Sequence, residues 1–352
     1  MKETIQSVRA RLAGLPRASL GFFPTPVYRL DRLSSRLGIN LYIKRDDFTG
    51  MNLFGGNKVR KLEYLLGAAV ESGAKYAITY GATQSNHAME TAAACRRLGL
   101  IPILYLTAVV PPDSSGLRSN LLLDNVLGAE IHIVTIAPGE TEADADARAF
   151  AMGAERAAEL NASGQGCVDI PMGGASALGS VGFAEAMVEL AEQLEELGGL
   201  HISKLYHSTG TGGTMAGLHA GRALLGMDTD ILSVSASPKE EEAYLDKVCH
   251  LSEAVLALLG SNQRPSREAM HLNLTQWMPG YEQPSEAASE AIRLLAQTEG
   301  LFVDPVYTGK ALAGLLADGR SGKISKGENV LFWHTGGATA LFAEPQILGK
   351  LF

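Results

Sequence analysis

Phe54-Gly55-Gly56-Asn57-Lys58-Val59-Arg60-Lys61-Leu62-Glu63-Tyr64-Leu65-Leu66 sets two glycines and a lysine directly ahead of an apolar-periodic run. The glycines allow a tight turn and a close approach of backbone to a ligand, and Lys58 falls where a helix begins. A lysine held where water is excluded has its charged form disfavoured, so its amine can condense with a carbonyl. The same residues also describe an ordinary surface lysine in a first helical turn. Four later segments decide between the two.

From Leu62 the apolar residues recur at 62, 65, 66, 69 and 70, the spacing of one buried helical face. A strand is expected over 76–80, then the turn Gly81-Ala82-Thr83-Gln84-Ser85-Asn86-His87, a small-residue helix from about 87 to 98 and a strand over 101–106. Further strands are expected at 41–45, 131–134, 167–170, 204–208, 231–236 and 329–333, with helices between most of them. Such alternation implies parallel strands joined by right-handed helical crossovers, an α/β architecture with covered sheet faces. Upstream, Phe22-Phe23-Pro24-Thr25-Pro26-Val27 is a proline-punctuated connector or edge strand. The Gly-rich stretch 172–182 marks the expected return from one domain to the other. The irregular region 260–284, with Trp277, Pro279, Gly280, Tyr281 and Pro284, suits a lid or site wall as well as an exposed loop.

A length of 352 residues suits two domains sharing an interface. The net charge of −8 gives no basic footprint for nucleic acid or an anionic membrane, so a small-molecule substrate is expected. Cys95, Cys167 and Cys249 stand far apart without a CxxC, which points to a reducing compartment and to no metal site. Lys2, Glu3, Arg9, Arg11 and Arg17 interrupt any secretory apolar region, and no run of about eighteen apolar residues suits a membrane span. A cytoplasmic location is expected.

Ser85-Asn86-His87 sits at a strand-to-helix junction, where free N–H groups, a hydroxyl and an amide form a site for a carboxylate, although Ser and Asn are also ordinary helix caps. Ser208-Thr209-Gly210-Thr211-Gly212-Gly213-Thr214 follows a strand and precedes a helix, so its N–H groups, hydroxyls and helix dipole suit a phosphate. A dinucleotide fingerprint would need glycine where Met215 stands and an acid where Ser235-Ala236-Ser237-Pro238 stands; a Walker loop would need Gly-Lys-Ser/Thr. A single phosphate on a compact cofactor fits better. Asp304-Pro305-Val306-Tyr307-Thr308-Gly309-Lys310 precedes a short helix, with Lys310 read as a surface lysine. His334-Thr335-Gly336-Gly337 ends a strand, where α/β sheets present ligand contacts.

Taken in order, these five motifs resemble the pyridoxal-phosphate enzymes of the tryptophan-synthase-β-like fold. Within these they look like the D-cysteine desulfhydrase and 1-aminocyclopropane-1-carboxylate deaminase family, over nearly the whole chain from about Phe23 to Phe342. The resemblance implies two open, twisted, mostly parallel sheets flanked by helices. A larger cofactor-binding domain would comprise 1–57 and 168–352, a smaller one 58–167, with the active site between them in a homodimer. It also implies that Lys58 holds pyridoxal 5′-phosphate covalently, that Thr209, Gly210, Thr211, Gly212, Gly213 and Thr214 cradle the phosphate, and that Asn86 bonds the 3′ oxygen. Gln84, Ser85, Asn86 and His87 would receive the substrate carboxylate, and Tyr281 and Tyr307 would flank the reacting side chain; Lys58, Ser85, Tyr281 and Tyr307 form the expected catalytic set. Freed by the substrate amine, Lys58 would take the α-proton; a β-substituent would leave, giving pyruvate and ammonia.

The residue facing the pyridine nitrogen separates relatives. In the cyclopropane deaminases a glutamate follows the tyrosine of the Val-Tyr motif; here Thr308 follows Tyr307, and Thr335 offers a second neutral hydroxyl. A neutral partner favours elimination and therefore D-cysteine, with release of sulfide. Four departures, all expected near the pocket, leave the leaving group open. The Phe54 loop has the deaminase wording, Met89 replaces an arginine common in desulfhydrases, Glu282 a glycine, and Ala175-Ser176 a Ser-Asn. The alternatives are 1-aminocyclopropane-1-carboxylate deaminase, L-cysteate sulfo-lyase, or a racemase or dehydratase of the same fold. From other classes come a nicotinamide-dependent dehydrogenase and a cofactor-binding protein without turnover.

Overall fold

Val330-Leu331-Phe332-Trp333 is apolar on both faces, so its strand requires a sheet covered on both sides. In the computed structural model, which describes residues 4–52, 54–108, 112, 117–281, 283 and 285–342, all four are fully buried. Glu282 and Pro284 lie outside the described residues.

The chain runs α1 (Ile5–Leu12), β1 (Val27–Arg29), α2 (Asp31–Leu37), β2 (Asn40–Arg45), α3 (Asn57–Glu71), β3 (Tyr76–Ala82), α4 (Asn86–Leu98), β4 (Ile101–Ala108), α5 (Ser119–Val126), β5 (Glu130–Thr135), α6 (Glu142–Ala162) and β6 (Cys167–Asp169). It continues through α7 (Ala177–Glu196), β7 (Lys204–Thr209), α8 (Gly213–Leu225), β8 (Asp230–Ser235), α9 (Glu241–Leu258), β9 (His271–Asn273), α10 (Glu286–Glu299), α11 (Thr308–Arg320) and β10 (Asn329–His334). Short 3-10 turns lie at Asp46–Phe48, Met172–Gly174 and Ala338–Phe342.

The strands form two sheets, ordered β1-β2-β10-β7-β8-β9 and β5-β4-β3-β6. Every pairing is parallel except β1 with β2. This is the α/β architecture of two mostly parallel, helix-flanked sheets. The Pro24–Pro26 segment leads into the antiparallel edge strand β1, where proline costs no ladder bond. The Gly-rich stretch becomes the 172–174 turn and the first turn of α7. Among its described residues the irregular 260–284 region contributes only the short strand β9.

Helix α7 is buried nearly all round, against α3, α8 and α9, with Phe183, Met187, Val188 and Leu190 in the main core. Helix α3 is tied to this core by charge as well as by packing. Arg60 donates to Asp46 (2.8 Å to each oxygen) and to Glu189 (3.0 and 2.9 Å). Lys44 contacts Glu189 and donates to the Thr25 carbonyl at 2.9 Å, and Trp333 Nε1 donates to Asp46 at 2.8 Å. Two cations and two anions, all buried, thus balance beneath the lysine-bearing helix.

Candidate active site

The carboxyl ends of β3, β7 and β10 converge with the start of α3 around a cavity of about 620 Å³. Asn57 N–H donates to the Thr335 carbonyl at 3.0 Å, and Gly56 bridges to Gly336, so the Lys58 loop is pinned to the His-Thr-Gly-Gly motif. Gly56 has the extended φ of −174°, which any residue adopts; what requires glycine is space. A Cβ there would lie 2.5 Å from Glu90 Oε1 and 3.2 Å from the Thr335 carbonyl oxygen.

Lys58 projects from the first turn of α3 into the cavity and donates to Asn57 Oδ1 at 2.7 Å. Asn57 Nδ2 in turn donates to Thr214 Oγ1 at 3.0 Å, joining lysine and phosphate-loop motifs through one side chain. Burial lowers the pKa of the Lys58 amine, against Glu90 and Asp304, which favour its charged form. An amine of this kind is a competent nucleophile and base.

Thr209, Gly210, Thr211, Gly212 and Thr214 lie on the cavity wall. Gly212, with φ +97°, is the N-cap of α8 and supplies no side chain to its first turn, so the N–H groups of that turn remain for an external anion. Two residues unremarked in the sequence complete this corner. Tyr244 shares a bond of 2.7 Å with Thr209 Oγ1 and donates to the Gly210 carbonyl at 3.1 Å. Lys61, one turn after Lys58 on the same helix face, is buried and donates to the Gly173 carbonyl at 3.0 Å; its Nζ is 3.0 Å from where a Cβ on Gly213 would be. The i, i+3 spacing from Lys58 was the available signal. Burial, with Lys58 nearby, holds the Lys61 amine well below the usual lysine range, a shift that a phosphate dianion would oppose. An uncapped helix start, hydroxyls and a buried amine fit the phosphate of pyridoxal phosphate.

Ser85 caps α4, accepting from Ala88 N–H at 3.2 Å, and also faces the cavity, so the cap and the candidate carboxylate site coincide. Asn86 and His87 line the wall, whereas Gln84 turns away: its Oε1 accepts from Asn120 N–H at 3.1 Å and its Nε2 donates to the Arg118 carbonyl at 3.3 Å. His87 packs 2.8 Å from Thr79 Oγ1, and burial, with Lys58 and Lys61 nearby, holds its pKa well below the usual histidine range. It is a neutral wall residue.

Tyr281 and Tyr307 bring their hydroxyls into contact on the opposite wall. Lys310 corrects the sequence reading: it is 1 % exposed and donates to the carbonyls of Trp277 and Gly280 at 3.0 and 2.9 Å. Helix α11 lies under the 277–281 segment, so this lysine staples the approach to Tyr281. Thr335 lies on the wall, 3.0 Å from Ser208 Oγ. Thr308 is directed elsewhere, its hydroxyl donating to Asp304 Oδ1 at 2.5 Å and accepting from Asp304 N–H at 2.8 Å. Of the four departures, Met89 is buried with its sulfur 3.6 Å from Asn52 Nδ2, Ser176 caps α7, and Phe54 N–H donates to Asn52 Oδ1. Met89, Ser176 and Phe54 itself are not on the cavity wall, whereas Asn57 and Lys58 of the Phe54 loop are.

A family model described as pyridoxal-phosphate dependent enzyme matches residues 18–336. A D-cysteine desulfhydrase of Salmonella newport is 40% identical over 336 residues, 94% of this chain and 97% of that protein. A solved structure titled as that of an ACC deaminase homologue is 35% identical and superposes with a TM-score of 0.85, covering 97% of this chain and 98% of its own. For the fold alone, threonine deaminase isoform 2 from Solanum lycopersicum, 17% identical, superposes with a TM-score of 0.64 over 96% of this chain and 86% of its own.

Proposed function

The chain belongs to the family of pyridoxal-phosphate dependent enzymes, and from that premise we propose that it is a β-eliminating, deaminating lyase acting on D-cysteine. The net reaction is D-cysteine plus water to pyruvate, hydrogen sulfide and ammonia. When bound, pyridoxal phosphate supplies an electron-withdrawing ring conjugated to the substrate nitrogen, which stabilises charge at the α-carbon.

The remaining work falls to the chain. Lys58 provides the amine that attaches the cofactor and, once displaced, the base for the α-proton. Thr209 to Thr214 hold the phosphate with Lys61. Asn86 would bond the 3′ oxygen, and Ser85 and Asn86, with His87 behind them, would receive the substrate carboxylate at the start of α4. Tyr281 and Tyr307 close the wall beside the leaving group.

The observation that carries the choice of substrate is the hydroxyl pair of Thr335 and Ser208 on the wall, with Thr308 bound to Asp304. A hydroxyl there would leave the pyridine nitrogen without an anionic partner, which would favour elimination of a good leaving group over ring opening. The D-cysteine desulfhydrase relative supports the same choice, and the ACC deaminase homologue keeps ring opening as the second reading. Purified enzyme given D-cysteine is expected to release sulfide and pyruvate in equal amounts. No product there, with turnover of 1-aminocyclopropane-1-carboxylate or L-cysteate, would transfer the assignment to that substrate.

We also place the protein in the cytoplasm as a homodimer, with 1–57 and 168–352 as the larger domain and 58–167 as the smaller. The grouping of β3, β4 and β5 into one sheet and β1, β2 and β7 to β10 into the other supports this division, with β6 crossing its boundary. No helix among the described residues is long and apolar enough to cross a membrane.

A further inference from the structure

The amide of Asn86 has two orientations that look alike in shape, and only one offers an N–H to the cavity. Asn120, in the first turn of α5, decides between them. Its Nδ2 donates to the Gln84 carbonyl at 2.8 Å, and since a carbonyl only accepts, the two ends of Asn120 cannot be exchanged. The same Nδ2 lies 2.7 Å from the Asn86 amide, whose facing atom is therefore the oxygen; the Thr339 hydroxyl reaches that oxygen at 3.2 Å. Asn86 Nδ2 is left on the other side, beside Gly337.

Behind this contact stand three buried oxygens on two residues. Among the described residues Asn120 Oδ1 has no partner, and neither has either oxygen of Asp124, one turn farther along α5; the two residues are 1 % and 0 % exposed. Residues four apart share a helix face, and a protonated carboxyl has the O–H that the amide oxygen lacks. Burial pushes the Asp124 carboxyl up to about 8, so the O–H is present at neutral pH. Among the described residues no charge from the packed elements offsets this. On α4, His87 and Glu90 face Lys58 and Lys61, Cys95 is in the core, Arg96 binds the Leu127 and Gly128 carbonyls, and Arg97 is exposed. The 338–342 turn carries no titratable side chain.

We propose that Asp124 and Asn120 are positioning residues, a buried relay in which the Asp124 O–H holds Asn120 and Asn120 fixes Asn86 with its N–H toward the cofactor. The proposal rests on Asn86 as a cofactor contact. It is tested on holoenzyme carrying N86A, N120A, D124A or D124N, by the absorption band of the bound cofactor from pH 6.5 to 9.5, the pyridoxal phosphate Kd, and kcat against KM. N120A and D124A are expected to shift the band and weaken cofactor binding about tenfold. Wild type is expected to show a band shift near pH 8, and its absence overturns the role of Asp124; D124N, whose carboxamide keeps a donor, is expected to match wild type at pH 7 and to lack that shift. N120A with the wild-type band and Kd, while N86A changes both, overturns the relay and leaves the Asn86 assignment standing. An unchanged N86A overturns both. Should D124A not fold, a D124N band that still shifts near pH 8 as wild type does overturns the role of Asp124.

Discussion

Gly56 places the reactive lysine by lacking a side chain of its own. A Cβ there would meet Glu90 Oε1 at 2.5 Å and the Thr335 carbonyl at 3.2 Å, so G56A must displace the buried Glu90 carboxylate, which accepts from Val59 N–H, or shift the start of α3. The expected result is a loss of cofactor affinity of about tenfold or more with unchanged far-UV circular dichroism; wild-type affinity would contradict it. Lys61 offers a donor to the phosphate corner, and a phosphate dianion there would favour its charged form against burial and Lys58. K61M should weaken pyridoxal phosphate binding by roughly 10–100-fold, as a bond of about 1.5–3 kcal/mol implies, measured by equilibrium dialysis. Asp124 makes a prediction for stability. With its folded pKa raised to about 8, the native state binds a proton that the unfolded chain releases, so this carboxyl lowers stability progressively as pH rises from about 4 to 8. Urea midpoints of D124N should exceed those of wild type by a margin that grows over this range; a margin independent of pH would contradict the assignment.

At the scale of elements, α3 carries Lys58 outward and Arg60 inward, and the inward charges anchor the outward one. Burial alone would raise the pKa of Glu189, but Arg60 and Lys44 outweigh it and hold the carboxylate down at about 2. Its stabilisation is therefore full above about pH 4.5 and is lost as pH falls toward 2. E189Q should cost about 3–5 kcal/mol at pH 7 and flatten the acid limb of the stability profile; an unaltered limb would place acid sensitivity elsewhere. The strands joined to these helices were legible because apolar β-rich runs between glycines and prolines leave few alternatives. Strands β2, β7, β8 and β10 lie within a residue or so of their expected ranges. The three-residue strand β9 was not legible, since His271-Leu272-Asn273 has no pattern and pairs only because β8 offers an edge. Lys310 was misread for a related reason. A lysine after a turn looks the same in sequence whether its amine meets water or, as here, the Trp277 and Gly280 carbonyls.

At the scale of the molecule, the motifs read separately along the chain meet in one cavity: the Lys58 loop, Ser85-Asn86-His87, the Gly210 loop, Tyr307 and Thr335. Their order and residue types made this convergence legible. Tyr244, Asn120 and the inward turn of Thr308 were not, because each depends on a partner distant in sequence or on a side-chain rotamer. A ligand held by so many separate segments should stabilise their common arrangement. Pyridoxal phosphate at one hundred times its Kd is expected to add about 2.7 kcal/mol to unfolding, seen as a higher Tm of holoenzyme than of apoenzyme. The measurement that bears most directly on the whole account is mass spectrometry of peptides from borohydride-reduced holoenzyme. The phosphopyridoxyl mass is expected on Lys58 alone, with K58A unlabelled and without turnover; label on another lysine, or a K58A enzyme that stays labelled and active, would contradict it.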